Sequence, residues 1–488
     1  MPRVAPATDD TSHTESPIGN IPVEVLCKIF SDTLRFSPSP FGPSNHGPHH
    51  KNLVLLKLTA VCKRWRSTAS ECATLWTSIA FSTSAEPTIQ CATLFLGRSK
   101  QAMLSVHIWD SGNPGVTQSC KKLLEVIASQ SHRFSTCELS SSSPSFWSYW
   151  SSPAPNLREL TVQGHGVQTS PIFSGQVPRL ESITSFYYTP WRLGNYAALR
   201  QADLRNNGRQ ISLTSLLNAL RGCITLEKLS LHGYASLSRG APRPISLPHL
   251  VKIDLFSSDA GLILEHLKTP FLAGPVTIFD SNPGLDILHS LPRTRDEMPY
   301  LQGIVKLYFV LNSYSTQYHV SGYREDGTLA LYIGVCGVEQ WFRWRWARAS
   351  IEAVASFPYF STIRNLVFST DTFDVPWHIW LPNLGHLSEL TVTCPRSDGL
   401  LVSLLGTSPR DGLPICPSLC SLALYRRNIS AVLNHVGLMG LVVSRYRAGR
   451  PLRKLKLHKD EWNSIQELSN SWAALAQSQC TCFRQRNV

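Results

Sequence analysis

The chain has 488 residues, 43% of them apolar and only 16% charged, a balance that excludes an intrinsically disordered protein and calls for a large buried core. Basic residues outnumber acidic ones by 46 to 33, so the net charge of +13 favours an anionic partner without specifying one. No apolar run reaches the roughly 18 residues of a spanning helix, so no membrane insertion is expected.

Residues 1–19 are rich in Pro, Ser, Thr and Asp and are expected to form a disordered arm without the apolar centre of a secretory leader. Most of the thirteen cysteines sit singly in apolar runs, as Cys62, Cys91, Cys137 and Cys223 do, where a free thiol behaves as a small hydrophobe. Both features fit a reducing intracellular setting, cytoplasmic or nuclear. Order is expected to begin at Ile21. Pro22 suits the first helical position, Glu24 complements the helix dipole, and Val25, Leu26, Ile29, Phe30 and Leu34 recur at helical spacing. After a Pro- and His-rich insertion over 35–51, a second helix is predicted from about Asn52 to Ala69. Its apolar residues fall in two rows, Leu55, Leu58, Cys62 and Trp65 on one and Leu53, Leu56 and Ala60 on the other. Such a helix must be covered on more than one side, and a module of about 60 residues cannot do this alone.

The run Ile21-Pro22-x-Glu24-Val25-Leu26-x-x-Ile29-Phe30, then Leu58-x-x-Val61-Cys62-Lys63-Arg64-Trp65-Arg66 and Leu75-Trp76, resembles the F-box pattern, above all the F-box-like domains of mushroom-forming fungi. The resemblance spans about residues 20–80. It implies a small helical bundle that binds the Skp-type linker of a cullin–RING ubiquitin ligase. By position it assigns linker contact or support to Ile21, Pro22, Val25, Leu26, Ile29, Phe30, Leu58, Val61, Cys62 and Trp65. The 35–51 insertion departs from the short connection usual in the family. The bland alternative is a helical cap sealing the first repeat of the body.

Over 83–480 one pattern returns: Leu-x-x-Leu-x-Leu with apolar substitutes. It appears as Phe134/Cys137/Leu139, Leu157/Leu160/Val162, Leu199/Ala202/Leu204, Leu226/Leu229/Leu231 and Leu250/Ile253/Leu255. It continues as Ile304/Leu307/Phe309, Ile363/Leu366/Phe368, Leu387/Leu390/Val392, Leu419/Leu422/Leu424 and Leu452/Leu455/Leu457, with Leu180/Ile183 degenerate. The steps between first positions lie close to the 20–29-residue period of leucine-rich repeats, and Leu213, Leu216, Leu217 and Leu220 mark an intervening amphipathic helix. The expected class is therefore α/β, a helical module over 20–82 followed by an irregular leucine-rich-repeat solenoid and a short tail at 481–488. An antiparallel hairpin is expected to interrupt the array over about 304–335, turning at Asp326-Gly327.

No P-loop, GxGxxG, GxSxG or HExxH occurs, and neither Cys416-x-x-x-Cys420, Cys480-x-Cys482 nor the histidines 46, 49 and 50 have metal-site partners in sequence. Neither a catalytic site nor a metal or cofactor is expected. Trp341–Arg348 interleaves Trp with Arg, and a basic run extends from Arg445 to Lys459; each reads as a core row or solvated face, with anion binding the sharper alternative. The functional expectation is a ubiquitin-ligase adaptor whose solenoid binds an unidentified client. Arg205, Lys228, His232, Lys252, Phe256, Lys306 and Tyr308 are the candidate contacts, and their mixture suits an acidic or phosphorylated peptide. The alternatives are a ligase-independent repeat scaffold and, less favoured, a basic nucleic-acid binder.

Overall fold

The computed structural model describes residues 20–36, 47–83, 86–110, 118–164, 172–186, 196–206, 213–233, 243–256, 260–269, 272–280, 301, 303–312, 317–336, 362–370, 375–395, 397–407, 412–425 and 434–457. The expected arm, the tail and the Trp341–Arg348 run lie outside these. The chain divides into two compact units, residues 1–177 and 178–488.

The first unit opens with α1 (Val23–Phe36), α2 (Gly47–Ala60) and α3 (Lys63–Glu71). The single second helix predicted over 52–69 is thus two helices. Cys62 between them is extended (φ −156°, ψ 169°); its carbonyl accepts from Arg66 N–H and its Sγ from Trp65 N–H at 3.5 Å. A cap there turns the chain, so Leu53, Leu55, Leu56, Leu58 and Ala60 all stay on α2 and Trp65 alone of the two apolar rows passes to α3. Because α1 runs to Phe36 and α2 starts at Gly47, the expected 35–51 loop is also shorter, with its ends taken into the helices.

There follow β1 (Ser78–Ser82), α4 (Glu86–Arg98), β2 (Leu104–Asp110), α5 (Gln118–Ser129), β3 (Phe134–Ser141), α6 (Pro144–Trp147) and β4 (Glu159–Gly164). The four strands pair in parallel in chain order, in registers such as Val106↔Cys137↔Leu160. Along β2 strict alternation buries Leu104, Val106 and Ile108 and turns Ser105, His107 and Trp109 outward, as a period of two requires. Behind the sheet, Phe134, Phe146, Trp150 and Phe173 form one buried ring cluster.

The second unit carries β5 (Ser182–Phe186), β6 (Gln201–Arg205), α7 (Leu213–Leu220), β7 (Lys228–His232), β8 (Ile245–Ser246), β9 (Lys252–Phe256), α8 (Ala260–Glu265), β10 (Leu267–Lys268) and β11 (Val276–Asp280). Then come β12 (Lys306–Asn312), β13 (Gln317–Tyr323), β14 (Leu329–Cys336), β15 (Asn365–Thr370), α9 (Trp377–Trp380), β16 (Glu389–Thr393), α10 (Asp398–Leu405), β17 (Ser421–Tyr425), α11 (His435–Arg447) and β18 (Lys454–Leu457). The strands lie in the order β5-β6-β7-β9-β11-β14-β13-β12-β15-β16-β17-β18, while β8 and β10 form a separate pair. All neighbours are parallel except β13, which is antiparallel to both β12 and β14.

The apolar triplets read from the sequence are the core positions, and nearly all are buried. At most first positions the backbone N–H closes a short turn by donating to the carbonyl three residues earlier: Leu199 to Tyr196, Leu226 to Cys223, Leu250 to Leu247, Leu387 to Leu384, Leu419 to Cys416. The next N–H then reaches the preceding strand's entry, as Arg200 to Glu181, Glu227 to Arg200 and Ser388 to Arg364. Two successive bonds fix both the turn and the lateral step, which is why the same triplet recurs.

The predicted hairpin is present, but its strands belong to the sheet rather than interrupting it. The chain passes β12, β13 and β14 in reverse spatial order, and β11 pairs with β14 rather than β12. Its turn has three residues, not two. Arg324 N–H donates to Thr328 O at 2.9 Å and Gly327 N–H to Arg324 O at 3.0 Å, leaving Gly327 at φ +81°, a backbone region glycine enters without steric cost.

Candidate functional site: a helical docking face and an outward sheet face

Helix α1 has two apolar faces. Leu26 and Phe30, one turn apart, are fully buried; the Phe30 ring meets Trp65 edge-on at 5.0 Å. Val25 and Ile29 point the other way, 46% and 41% exposed, beside exposed Pro22. Ile21, ahead of α1, is half-buried; in the other two helices and their joint, Leu53 is 54% and Val61 62% exposed, Cys62 is exposed, and Leu58 and Trp65 are half-buried. Of the ten residues singled out in the sequence, Leu26 and Phe30 therefore support the module, while Pro22, Val25, Ile29, Val61 and Cys62 face out. Leu53 was not among the ten. It sat in the second apolar row of the predicted helix, and that row was its only signal.

Polar bonds hold these helices in place. The Arg64 guanidinium donates to Ile21 O, Arg66 Nε to Thr59 O at 3.0 Å, and Trp76 Nε1 to Ala69 O at 2.6 Å. Trp76 is wholly buried, edge-on to Phe95 at 4.8 Å with Arg98 over its ring at 4.3 Å.

In the second unit the outward side chains of the central strands align in rows set by register. Arg205, His232, Phe256 and Phe279 occupy one row across β6, β7, β9 and β11, and Phe186 begins it on β5. His232 stacks on Phe256 at 3.9 Å and 7°, Phe256 on Phe279 at 4.7 Å and 8°, and the Arg205 guanidinium lies 4.9 Å over Phe186. The cations have carboxylate partners. Arg205 Nη2 is 2.8 Å from Asp203 and Lys252 Nζ 2.7 Å from Asp254. The bond to Asp203 holds the Arg205 guanidinium charged, whereas burial pulls the His232 imidazole below its usual range despite Asp203 at 3.6 Å.

The structure brings Arg205, Lys228, His232, Lys252 and Phe256 together on three adjacent strands. Lys306 and Tyr308 lie on β12, four strands away from β9. There Lys306 Nζ sits 4.8 Å over the Tyr308 ring, which meets Tyr323 edge-on at 5.3 Å. Phe279 and Phe186 were missed because their partners are lateral neighbours, and register is not visible in a lone LxxLxL.

The basic run Arg445–Lys459 is not one solvated face. Arg445 is buried, donating to Ile415 O, Cys416 O and Leu419 O at 3.1, 2.9 and 3.0 Å; Arg447, Arg450 and Arg453 are exposed, and Lys459 lies outside the described residues. Cys416 and Cys420 donate to Leu381 O and Ser388 O, and burial pushes the Cys416 thiol up to about 12. Histidine 46 is outside the described residues; His49 and His50 begin α2. In the first unit Ser105 Oγ, His107 Nε2, His107 Nδ1 and Glu138 Oε2 form a relay of 2.9 and 3.1 Å. The Ser105 N–H is committed to Thr77 O on an open sheet face, so it offers nothing to a developing oxyanion.

Buried aromatic-pinned helices with a second apolar face turned outward make up a helical module, followed by a mixed α/β body. Residues 18–82 match the model of the F-box-like family, so the chain carries an F-box-like domain there. A search of curated proteins found no match.

Proposed function

We propose that the chain is the client-recognition adaptor of an SCF-type ubiquitin ligase, with the F-box-like domain on a Skp-type linker and, through it, a cullin. The repeating strands form a leucine-rich-repeat solenoid that presents the client-binding face. The carrying observation is the outward set Val25, Ile29, Leu53 and Val61 on a domain of F-box-like sequence. Covering four half-exposed apolar side chains is worth roughly 3–6 kcal/mol, a contribution toward binding a partner with a complementary apolar surface. The chain would act by proximity, raising the client's effective concentration at a ubiquitin-charged enzyme without catalytic groups of its own. A cytoplasmic or nuclear site of action belongs to this reading.

The test is co-purification of the full chain with a Skp-type linker. Ile29→Asp with Val61→Asp should abolish recovery of the linker while leaving the thermal midpoint within a few degrees, since both side chains are already wet. Failure of the unaltered chain to bind any Skp-type linker would sink the adaptor reading and leave a ligase-independent scaffold.

A further inference from the structure

We propose that the row Phe186–Arg205–His232–Phe256–Phe279 is the client-reading strip of the second unit and takes an acidic protein segment bearing aromatic side chains. This rests on the adaptor reading for its biological use, and on the sheet alone for its chemistry. Ring planes within 8° of parallel and centroids 3.9 and 4.7 Å apart mean that the stack axis runs across the strands. Ring faces therefore cover one another and ring edges point to solvent. The strip spans five strands, about 19 Å, the reach of roughly six extended residues.

An aromatic edge carries the positive end of the ring quadrupole, so its preferred partner is the face of another ring laid across it, or a carbonyl oxygen. In the pairs Arg205–Asp203 and Lys252–Asp254 the cation is the outer member, its side chain 42% and 43% exposed against 18% and 20% for the carboxylate. Lys228, between Gln201 and Lys252 and two outward rows below the strip, past the row of Asp203, Ser230 and Asp254, is exposed. A partner approaching the strip meets the ring edges and the heads of Arg205 and Lys252 before the Asp203 and Asp254 carboxylates, which selects a segment with aromatic faces and acidic neighbours. Beyond Phe279 the parallel stack gives way to a tilted contact: Gly334 stands opposite Phe279, a Cβ there would lie 2.9 Å from the Phe279 and Tyr332 rings, and the Phe279 ring meets Tyr332 at 5.3 Å and 48°.

The experiment uses the full chain co-purified with a Skp-type linker and three labelled peptides of about 12 residues, read by fluorescence anisotropy. One alternates Asp or Glu with Phe or Tyr, one replaces the aromatics by Leu, and one replaces the acids by Lys. The parent peptide should bind at least tenfold tighter than either derivative. Phe256→Leu with Phe279→Leu should reduce it to the level of the Leu peptide, and Lys228→Glu should narrow or reverse the preference for acids. Equal binding of parent and Leu peptides, or parent binding untouched by the double Leu change, overturns the proposal. Lys228→Glu, at a wet position, decides the matter if the double variant does not fold: an unaltered preference for acids overturns it too. Linker recovery is read separately, so loss of the linker with retained peptide binding removes the adaptor reading and leaves the strip.

Discussion

Arg445 carries a charge for structural reasons. Its guanidinium ties together three carbonyls, of Ile415, Cys416 and Leu419, that precede β17, and burial lowers its proton affinity without neutralising it. Arg445→Met keeps the stem and leaves those carbonyls unpaired, which should cost about 2–5 kcal/mol, seen as a lower urea midpoint. A drop below about 0.5 kcal/mol would mean the carbonyls find water instead. Nothing in the run Arg445–Lys459 distinguishes this arginine from Arg447; its partners come from residues 26 to 30 positions earlier, and local spacing does not report that. Gly334 is the opposite kind of position, defined by a side chain it lacks. Gly334→Ala should displace the Phe279 ring, visible as changed aromatic signals in near-ultraviolet circular dichroism while far-ultraviolet spectra stay the same.

Among the elements, the break at Cys62 shows what periodicity can and cannot deliver. The apolar count over 52–69 called for cover on two sides, a count that both one buried helix and two capped helices satisfy; Leu53 and Ala60 of the second row are exposed in this chain. Cys is a poor cap, and neither Gly nor Pro marks the break, so the sequence carried no stop signal. Cys62→Ser supplies a better acceptor for the Trp65 N–H and should stabilise the chain by about 0.5–1 kcal/mol, measured by chemical denaturation. At the hairpin the Asp326-Gly327 pair did announce the turn, and missed only its length. Gly327→Ala, forced to keep φ near +81°, should destabilise by about 1 kcal/mol in the same measurement.

At the scale of the molecule, the apolar triplets located most of the strands and the core, because inward positions repeat with the lateral step. Lateral order remained invisible, and with it the stacked row, since no triplet states which strand it will lie beside. The second unit also carries a pH signature. Burial lowers the proton affinity of His232, which faces Asp203, Arg205 and Asp254, and of His319, whose Nδ1 is buried without a partner. Below the ordinary value of 6.5 the unfolded chain takes up protons that these folded rings refuse, so stability should fall as pH drops from 7.5 to 5.5. His232→Gln with His319→Gln should flatten that slope in urea titrations at the two pH values; an equally steep slope would place the proton uptake elsewhere.

The reversed order of β14, β13 and β12 bears on how such a chain can be assembled on a ribosome. In the second unit β5, β6, β7, β9 and β11 can each join the growing edge as they emerge, but β12 cannot, because its place is three positions beyond β11. The exposed flank of β11 stays unpaired until residue 336 has been made. A nascent chain arrested between β11 and β14 would thus be at its most sticky, and one released a few dozen residues later would have closed that flank and begun extending again from β12.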